Sequence, residues 1–157
     1  MAGSLTYSFL EAKQKIEWYC AYQERCDYDV RKKLHEWNLY AEDIDALIAH
    51  LITHNYLNEE RFAEAYVSGK FRIKKWGRIK IRQQLKLKKI SLYSINKAFT
   101  QIEDDDYIQT AKDLVASKSR LIKSKNAWDK LNKLKRYLSS KGYESELIHE
   151  IVGNESD

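Results

Sequence analysis

Two histidines one helical turn apart are the first residues in this sequence with the spacing of a chemical site. His50 and His54 have the i, i+4 spacing with which one helix face presents two metal ligands, but no third ligand accompanies them. We expect Cys20 and Cys26 to be buried, inert thiols in a reducing compartment. The acidic run 104–106 favours a helix N-terminus over a magnesium site, because no phosphate-binding loop accompanies it.

The common catalytic motifs are also missing from the sequence. It contains no glycine-rich nucleotide loop, no nucleophile elbow and no zinc-protease pattern. We therefore predict a protein that is not an enzyme and that needs no cofactor and no metal. No apolar run approaches the ~18–20 residues that span a bilayer, and the first ten residues lack the features of a secretory signal. We expect a cytoplasmic protein with no membrane partner.

The strongest chemical signal is the uneven distribution of charge. The formal net charge is +5, but residues 1–64 sum to −5 and residues 103–157 to −1. Residues 65–102 contain 11 basic residues and no acidic one. A stretch of 38 residues without a carboxylate predicts a surface that binds a polyanion.

Basic residues recur at helical spacing within this middle third. Arg78, Arg82, Lys86 and Lys89 step by four, four and three residues and so form one stripe on a helix. A solvated helix face usually mixes charges of both signs, whereas this segment offers no carboxylate. We predict a surface that binds DNA or the acidic face of a partner. The predicted set also includes Lys70, Arg72, Lys74, Lys75, Trp76, Lys80 and Lys88.

This composition predicts weak DNA binding without sequence preference. Lysine-rich surfaces neutralise phosphates, whereas base identity is read by bidentate contacts in the grooves. Trp76 has two open interpretations. Its ring stacks on an exposed base or enters a groove of a partner, or it closes the core between helices.

Helices must position these residues, and the sequence favours helices. There is no proline and there are only five glycines in 157 residues. One pattern of five apolar positions recurs after 51 residues and again after a further 53. The three sets are Val30, Leu34, Leu39, Ile44 and Ile48; Ile81, Leu85, Ile90, Ile95 and Phe99; and Leu134, Leu138, Tyr143, Ile148 and Val152.

The recurrence predicts an all-α fold of three tandem three-helix repeats that form an elongated, curved array. The predicted repeats cover residues 7–55, 56–102 (the basic repeat) and 103–153. Steps of four residues mark helices, and a step of five marks a turn. The nine predicted helices are 7–25, 28–37, 41–54, 58–74, 78–88, 91–101, 104–123, 127–140 and 144–152.

The segment 55–63, Asn-Tyr-Leu-Asn-Glu-Glu-Arg-Phe-Ala, followed by Tyr66, Gly77 and Leu85, resembles the central signature of the RecX family. The residues that match the family's motif are Tyr56, Leu57, Arg61, Phe62 and Ala63. Asn55 replaces the usual glycine, and asparagine is the next best residue if this position has a positive φ. We expect Phe62 to be buried between repeats and Arg61 to pair with a carboxylate of the first repeat.

The resemblance implies a regulator of the bacterial recombinase RecA. Members of the family bind the RecA–DNA filament, usually inhibit its ATPase, recombinase and coprotease activities, and show affinity for single- or double-stranded DNA. A role in DNA repair and the SOS response follows, and we expect a monomer. Two alternatives stay open. One is a stand-alone helical DNA-binding regulator of transcription, and the other is a helical scaffold for an acidic protein unrelated to DNA.

Overall fold

The computed structural model of this chain describes residues 6–153, and the regular structure within that range is entirely helical. The predicted all-α class is confirmed, and each helix end lies within three residues of its predicted position. The helices are α1 (Phe9–Tyr22), α2 (Asp27–Glu36), α3 (Ala41–Thr53), α4 (Glu59–Arg72), α5 (Arg78–Leu87), α6 (Leu92–Phe99), α7 (Asp104–Leu121), α8 (Ala127–Lys141) and α9 (Ser145–Gly153).

The recurring apolar positions form the cores that the repeat predicts. Thirteen of the fifteen are buried, and only Leu39 and Phe99 are half-buried. Each buried aliphatic side chain contributes roughly 1.5–3 kcal/mol by leaving water. Two apolar residues spaced by four positions therefore lie on the buried face of each helix that contains such a pair.

The chain packs into two compact units that do not follow its linear order. The first unit contains the described residues up to Ala65 together with Lys86–Ala98. The second unit contains Tyr66–Leu85 and the residues from Phe99 onward. Helices α4 and α5 contribute to both units, so the predicted repeat boundaries remain a prediction.

In the first unit, helices α1 to α3 close around a core that includes Ile16, Leu34 and Leu51. Ser8 and Glu11 form a capping box at the start of α1, with both hydrogen bonds at 3.2 Å. Cys20 and Cys26 are buried free thiols, as predicted. Burial raises the pKa of Cys20 to about 11 and that of Cys26 to about 12, so neither thiol ionises near neutral pH.

In the second unit, three aromatic rings line the core. Tyr107 stacks on Phe71 with ring centroids 5.8 Å apart, and it lies 5.1 Å from Tyr143. Gly142 ends α8 with φ 99°, a left-handed conformation that glycine adopts without strain. A Cβ atom on Gly77 would overlap the backbone carbonyl of Gly142. Glycine at position 77 therefore allows the two backbones to approach closely.

The left-handed residues after the second helix of each repeat occupy equivalent positions. Asn38 follows α2, Lys89 follows α5 and Gly142 follows α8, with φ values of 59°, 61° and 99°. Their separations of 51 and 53 residues match the apolar repeat. Asparagine and glycine tolerate this conformation, whereas lysine does so at a cost in free energy.

Candidate nucleic-acid interface

The turn between α4 and α5 carries the most exposed of the predicted basic residues in the second unit. Arg72 is the last residue of α4, and Lys74 and Lys75 follow it in the turn. All three side chains are exposed, and none forms an ion pair with a carboxylate within residues 6–153. Lys70, Lys80 and Arg82 are half-buried in the same unit. The turn thus presents three positive charges to solvent.

The indole ring of Trp76 lies beneath two lysines. The Nζ atoms of Lys70 and Lys80 are 4.8 and 4.4 Å from its ring centroid, within the range of cation–π attraction. The backbone N–H of Trp76 donates to the carbonyl of Lys70 at 3.0 Å. The ring is half-buried, so it holds two ammonium groups near the turn and keeps part of its own surface accessible.

Arg78 has a different environment from the other members of the predicted stripe. Its guanidinium donates to Asp104 at 2.8 Å and to Glu144 at 3.1 Å, and lies 3.8 Å from the ring centroid of Tyr107. Its backbone N–H donates to the hydroxyl of Tyr107 at 2.9 Å, and this hydroxyl donates to Glu144. Burial, reinforced by the bond to Glu144, raises the pKa of Tyr107. Arg78 therefore holds α5, α7 and the start of α9 together.

In the first unit, Lys86 and Lys89 are exposed, whereas Lys88 is engaged internally. The Nζ atom of Lys88 lies 2.7 Å from Oδ1 of Asp29, and only about a quarter or less of either side chain is exposed (25% and 21%). These ion pairs have no local signal in the sequence, because Asp29 and Lys88 are 59 residues apart and Arg78 and Glu144 are 66 residues apart. Both pairs join residues that only the fold brings together.

The motif that carries the family resemblance has structural contacts in the first unit. Arg61 pairs with Glu24 of the predicted first repeat at 2.6 Å and donates to the backbone carbonyl of Asn55 at 2.9 Å. Asn55 has φ 62°, the left-handed conformation that explains asparagine in place of glycine. Leu57 and Phe62 are buried, as is Ala63.

Tyr56 and His50 share one carboxylate. Glu17 accepts a hydrogen bond from the Tyr56 hydroxyl at 3.1 Å, and its other oxygen lies 3.0 Å from Nε2 of His50. Desolvation opposes ionisation of Glu17, but these two hydrogen bonds prevail and lower its pKa. The ring centroids of His50 and His54 are 4.4 Å apart. Across residues 6–153, no group of three or more His, Cys, Asp and Glu residues has an arrangement that holds a metal ion.

Comparisons with known proteins agree on one family. The model of the RecX second three-helix domain matches residues 58–98, and that of the third three-helix domain matches residues 104–152. A regulatory protein RecX of Pectobacterium atrosepticum is 31% identical over 151 residues, which cover 96% of this chain and 90% of the relative. One from Clostridium perfringens (strain 13) is 33% identical over 131 residues, or 82% of this chain. The chain spans only 60% of the length of that relative.

Solved structures give the same fold. A crystal structure of regulatory protein RecX superposes with a TM-score of 0.81 and 25% identity, covering 93% of this chain and 71% of the other. A crystal structure of RecX from Lactobacillus salivarius superposes with a TM-score of 0.78 over 93% of this chain and 95% of the other. Its identity of 23% supports the fold alone. In the described part of this chain, no helix is both long and apolar enough to cross a membrane.

Proposed function

This chain belongs to the RecX family, and we propose that it binds the RecA–DNA filament and inhibits the filament's ATPase, recombinase and coprotease activities. The protein thereby regulates DNA repair. It acts as a monomer in the cytoplasm, without chemistry of its own and without a cofactor. Its contact with DNA is weak and independent of sequence, because its basic residues neutralise phosphates.

The observation that carries this proposal is the exposed basic turn between α4 and α5. Arg72, Lys74 and Lys75 lie in the 38-residue segment that has no acidic residue, and they are exposed. A cation that has no carboxylate partner within the described range is available to a phosphate or to an acidic surface of RecA. Membership of the RecX family supports the RecA filament as the polyanion. The exposed turn is the part of the second unit that supports contact with this filament.

Inhibition follows from selective binding. A protein that binds one state of a filament more tightly than another shifts the population toward the first state. If the bound state cannot hydrolyse ATP or exchange strands, inhibition requires only that the protein be present at concentrations above its dissociation constant.

The proposal is tested by reversing the two turn lysines, Lys74→Glu and Lys75→Glu, in one variant. We expect the concentration that half-inhibits RecA ATP hydrolysis on single-stranded DNA to rise by about tenfold or more, because each reversal replaces attraction to a phosphate with repulsion. The backbone carbonyls of both residues accept hydrogen bonds from Lys141 and Tyr143, and these bonds survive the substitution.

The matched control is the double variant Lys32→Glu and Lys112→Glu. Both lysines are exposed, lie on helices α2 and α7, and change the net charge by the same amount. We expect this control to inhibit like the unmodified protein to within about twofold. Equal inhibition by the turn variant and the control would overturn the site. No inhibition by the unmodified protein would overturn the function itself.

A further inference from the structure

The hairpin between α7 and α8 forms a second basic surface with two exposed apolar side chains. We propose that this hairpin tip, residues 120–128, binds single-stranded nucleic acid, with one base stacked on Trp128 and the adjacent phosphates held by lysine and arginine. Trp128 is 74% exposed and Leu121 is 76% exposed. A tryptophan this exposed contributes little to a core, and its face is open to a planar ligand.

The charge around Trp128 is positive and has little internal compensation. Arg120, Lys123 and Lys125 are exposed and form no ion pair within residues 6–153. Asp129 is the only acidic residue between positions 114 and 143. It accepts a hydrogen bond from the backbone N–H of Lys125 at 3.1 Å and pairs with Lys133 at 3.2 Å. The hydrogen bond from the Lys125 backbone first, and then Lys133, lower the pKa of Asp129. The carboxylate of Asp129 is therefore charged and engaged with these two partners.

The tip is held in place before any ligand arrives. Asn126 caps α8 by accepting from the N–H of Asp129 at 2.8 Å. Lys133 donates to the carbonyl of Lys123 at 2.6 Å and so joins the hairpin loop to the body of α8. Asn132 donates to the carbonyl of Trp128 at 2.9 Å. A surface ordered in this way loses less conformational entropy when it binds.

Single-stranded nucleic acid matches both features of the tip. It is polyanionic, and its unpaired bases expose aromatic faces on which tryptophan stacks regardless of sequence. A duplex offers the same phosphates but hides the base faces in its stack. An anionic membrane also offers negative charge, but binding to it requires a broad apolar face that enters the lipid interface. The tip, with two large apolar side chains among cations, favours the nucleic acid strand.

This surface is distinct from the basic turn between α4 and α5. Gly77, next to that turn, donates its N–H to the carbonyl of Lys141 at the far end of α8. Trp128 lies near the start of the same helix, about 20 Å away at 1.5 Å per residue. The inference rests on the proposed function only in taking the nucleic acid to be DNA, and its test requires no RecA.

The test measures binding of a labelled oligothymidylate of about 20 nucleotides to the full chain by fluorescence anisotropy. We expect Trp128→Ala to raise the dissociation constant by roughly tenfold, the effect typical of losing one stacked base. The matched control is Trp18→Ala, since Trp18 is 69% exposed on α1. The control is expected to change the dissociation constant by less than about twofold. Binding to a duplex of the same length is expected to be nearly insensitive to Trp128→Ala.

A second variant tests the charges without altering the ring. Reversal of Lys123 and Lys125 to Glu is expected to weaken binding and to reduce the salt dependence of the affinity by about 0.7 per lost phosphate contact. Circular dichroism checks that each variant stays helical. The inference is overturned if Trp128→Ala behaves like Trp18→Ala. It is also overturned if Trp128→Ala weakens binding to phosphatidylserine vesicles but not to the oligonucleotide. Either result is independent of whether RecA is inhibited.

Discussion

Replacing Lys89 with asparagine is expected to stabilise the protein while weakening its interaction with polyanions. Lys89 has φ 61°, and the left-handed conformation costs an ordinary L-residue about 1–2 kcal/mol. Asparagine at the equivalent position, Asn38, adopts φ 59° with less strain. Lys89 is exposed. Its side chain therefore contributes little packing that would be lost.

We expect Lys89→Asn to raise the free energy of unfolding by about 0.5–1 kcal/mol. Relief of part of the backbone strain stabilises the variant. Loss of the favourable positive charge near the end of α5 offsets some of this gain. Lys89→Gly is expected to gain less, since glycine also increases the entropy of the unfolded chain. Urea denaturation followed by circular dichroism measures the change as a shift of the midpoint at constant slope.

The matched control is the same substitution one helical turn earlier. Lys86 is exposed within α5, where asparagine has a lower helix propensity than lysine. Lys86→Asn is therefore expected to lower the free energy of unfolding by about 0.5 kcal/mol, a change of opposite sign. If both variants shift the urea midpoint in the same direction, backbone strain at Lys89 does not explain the effect of Lys89→Asn on the free energy of unfolding. Lys86 and Lys89 both belong to the predicted DNA-binding set, so each variant is expected to lose one phosphate contact and to reduce the salt dependence of DNA binding by about 0.7–0.9.

Two further predictions concern the second unit. Arg78→Ala leaves Glu144 and Asp104 without their cation, and the Arg78 side chain is only 30% exposed. We therefore expect the free energy of unfolding, measured by thermal unfolding, to fall by about 2 kcal/mol. The control, Arg72→Ala, is expected to change the free energy of unfolding little. Gly77→Ala places a methyl group against the backbone of Gly142, and we expect the midpoint of urea unfolding to fall by an amount equivalent to about 3 kcal/mol or more. Gly69 lies within α4, and apart from its chain neighbours and the adjacent helix backbone nothing lies within 4 Å of an added Cβ, so Gly69→Ala is expected to raise the free energy of unfolding by about 0.5–1 kcal/mol instead. A gain in stability for both glycine variants would contradict the close approach of positions 77 and 142.

The helices of this protein were predictable because helix formation is local. Apolar side chains spaced by four residues define the buried face of a helix, and the same spacing recurs in all three repeats. Val30 and Leu34, for example, are both fully buried, as the pattern requires. The recurrence also predicted where each repeat turns. The positive charge excess of residues 65–102 was also predictable from the sequence, because it is a property of composition alone.

Which charges remain available for a ligand was decided only by the tertiary structure. Arg78 and Lys88 belong to the predicted basic set, yet carboxylates 26 to 66 residues away in the sequence bind both of them. Electrostatic attraction depends on distance in space, which the sequence separation of two residues does not specify. The exposure of Trp128 was equally unpredictable from the sequence, because an aromatic residue near a helix start serves a core or a ligand according to what packs against it.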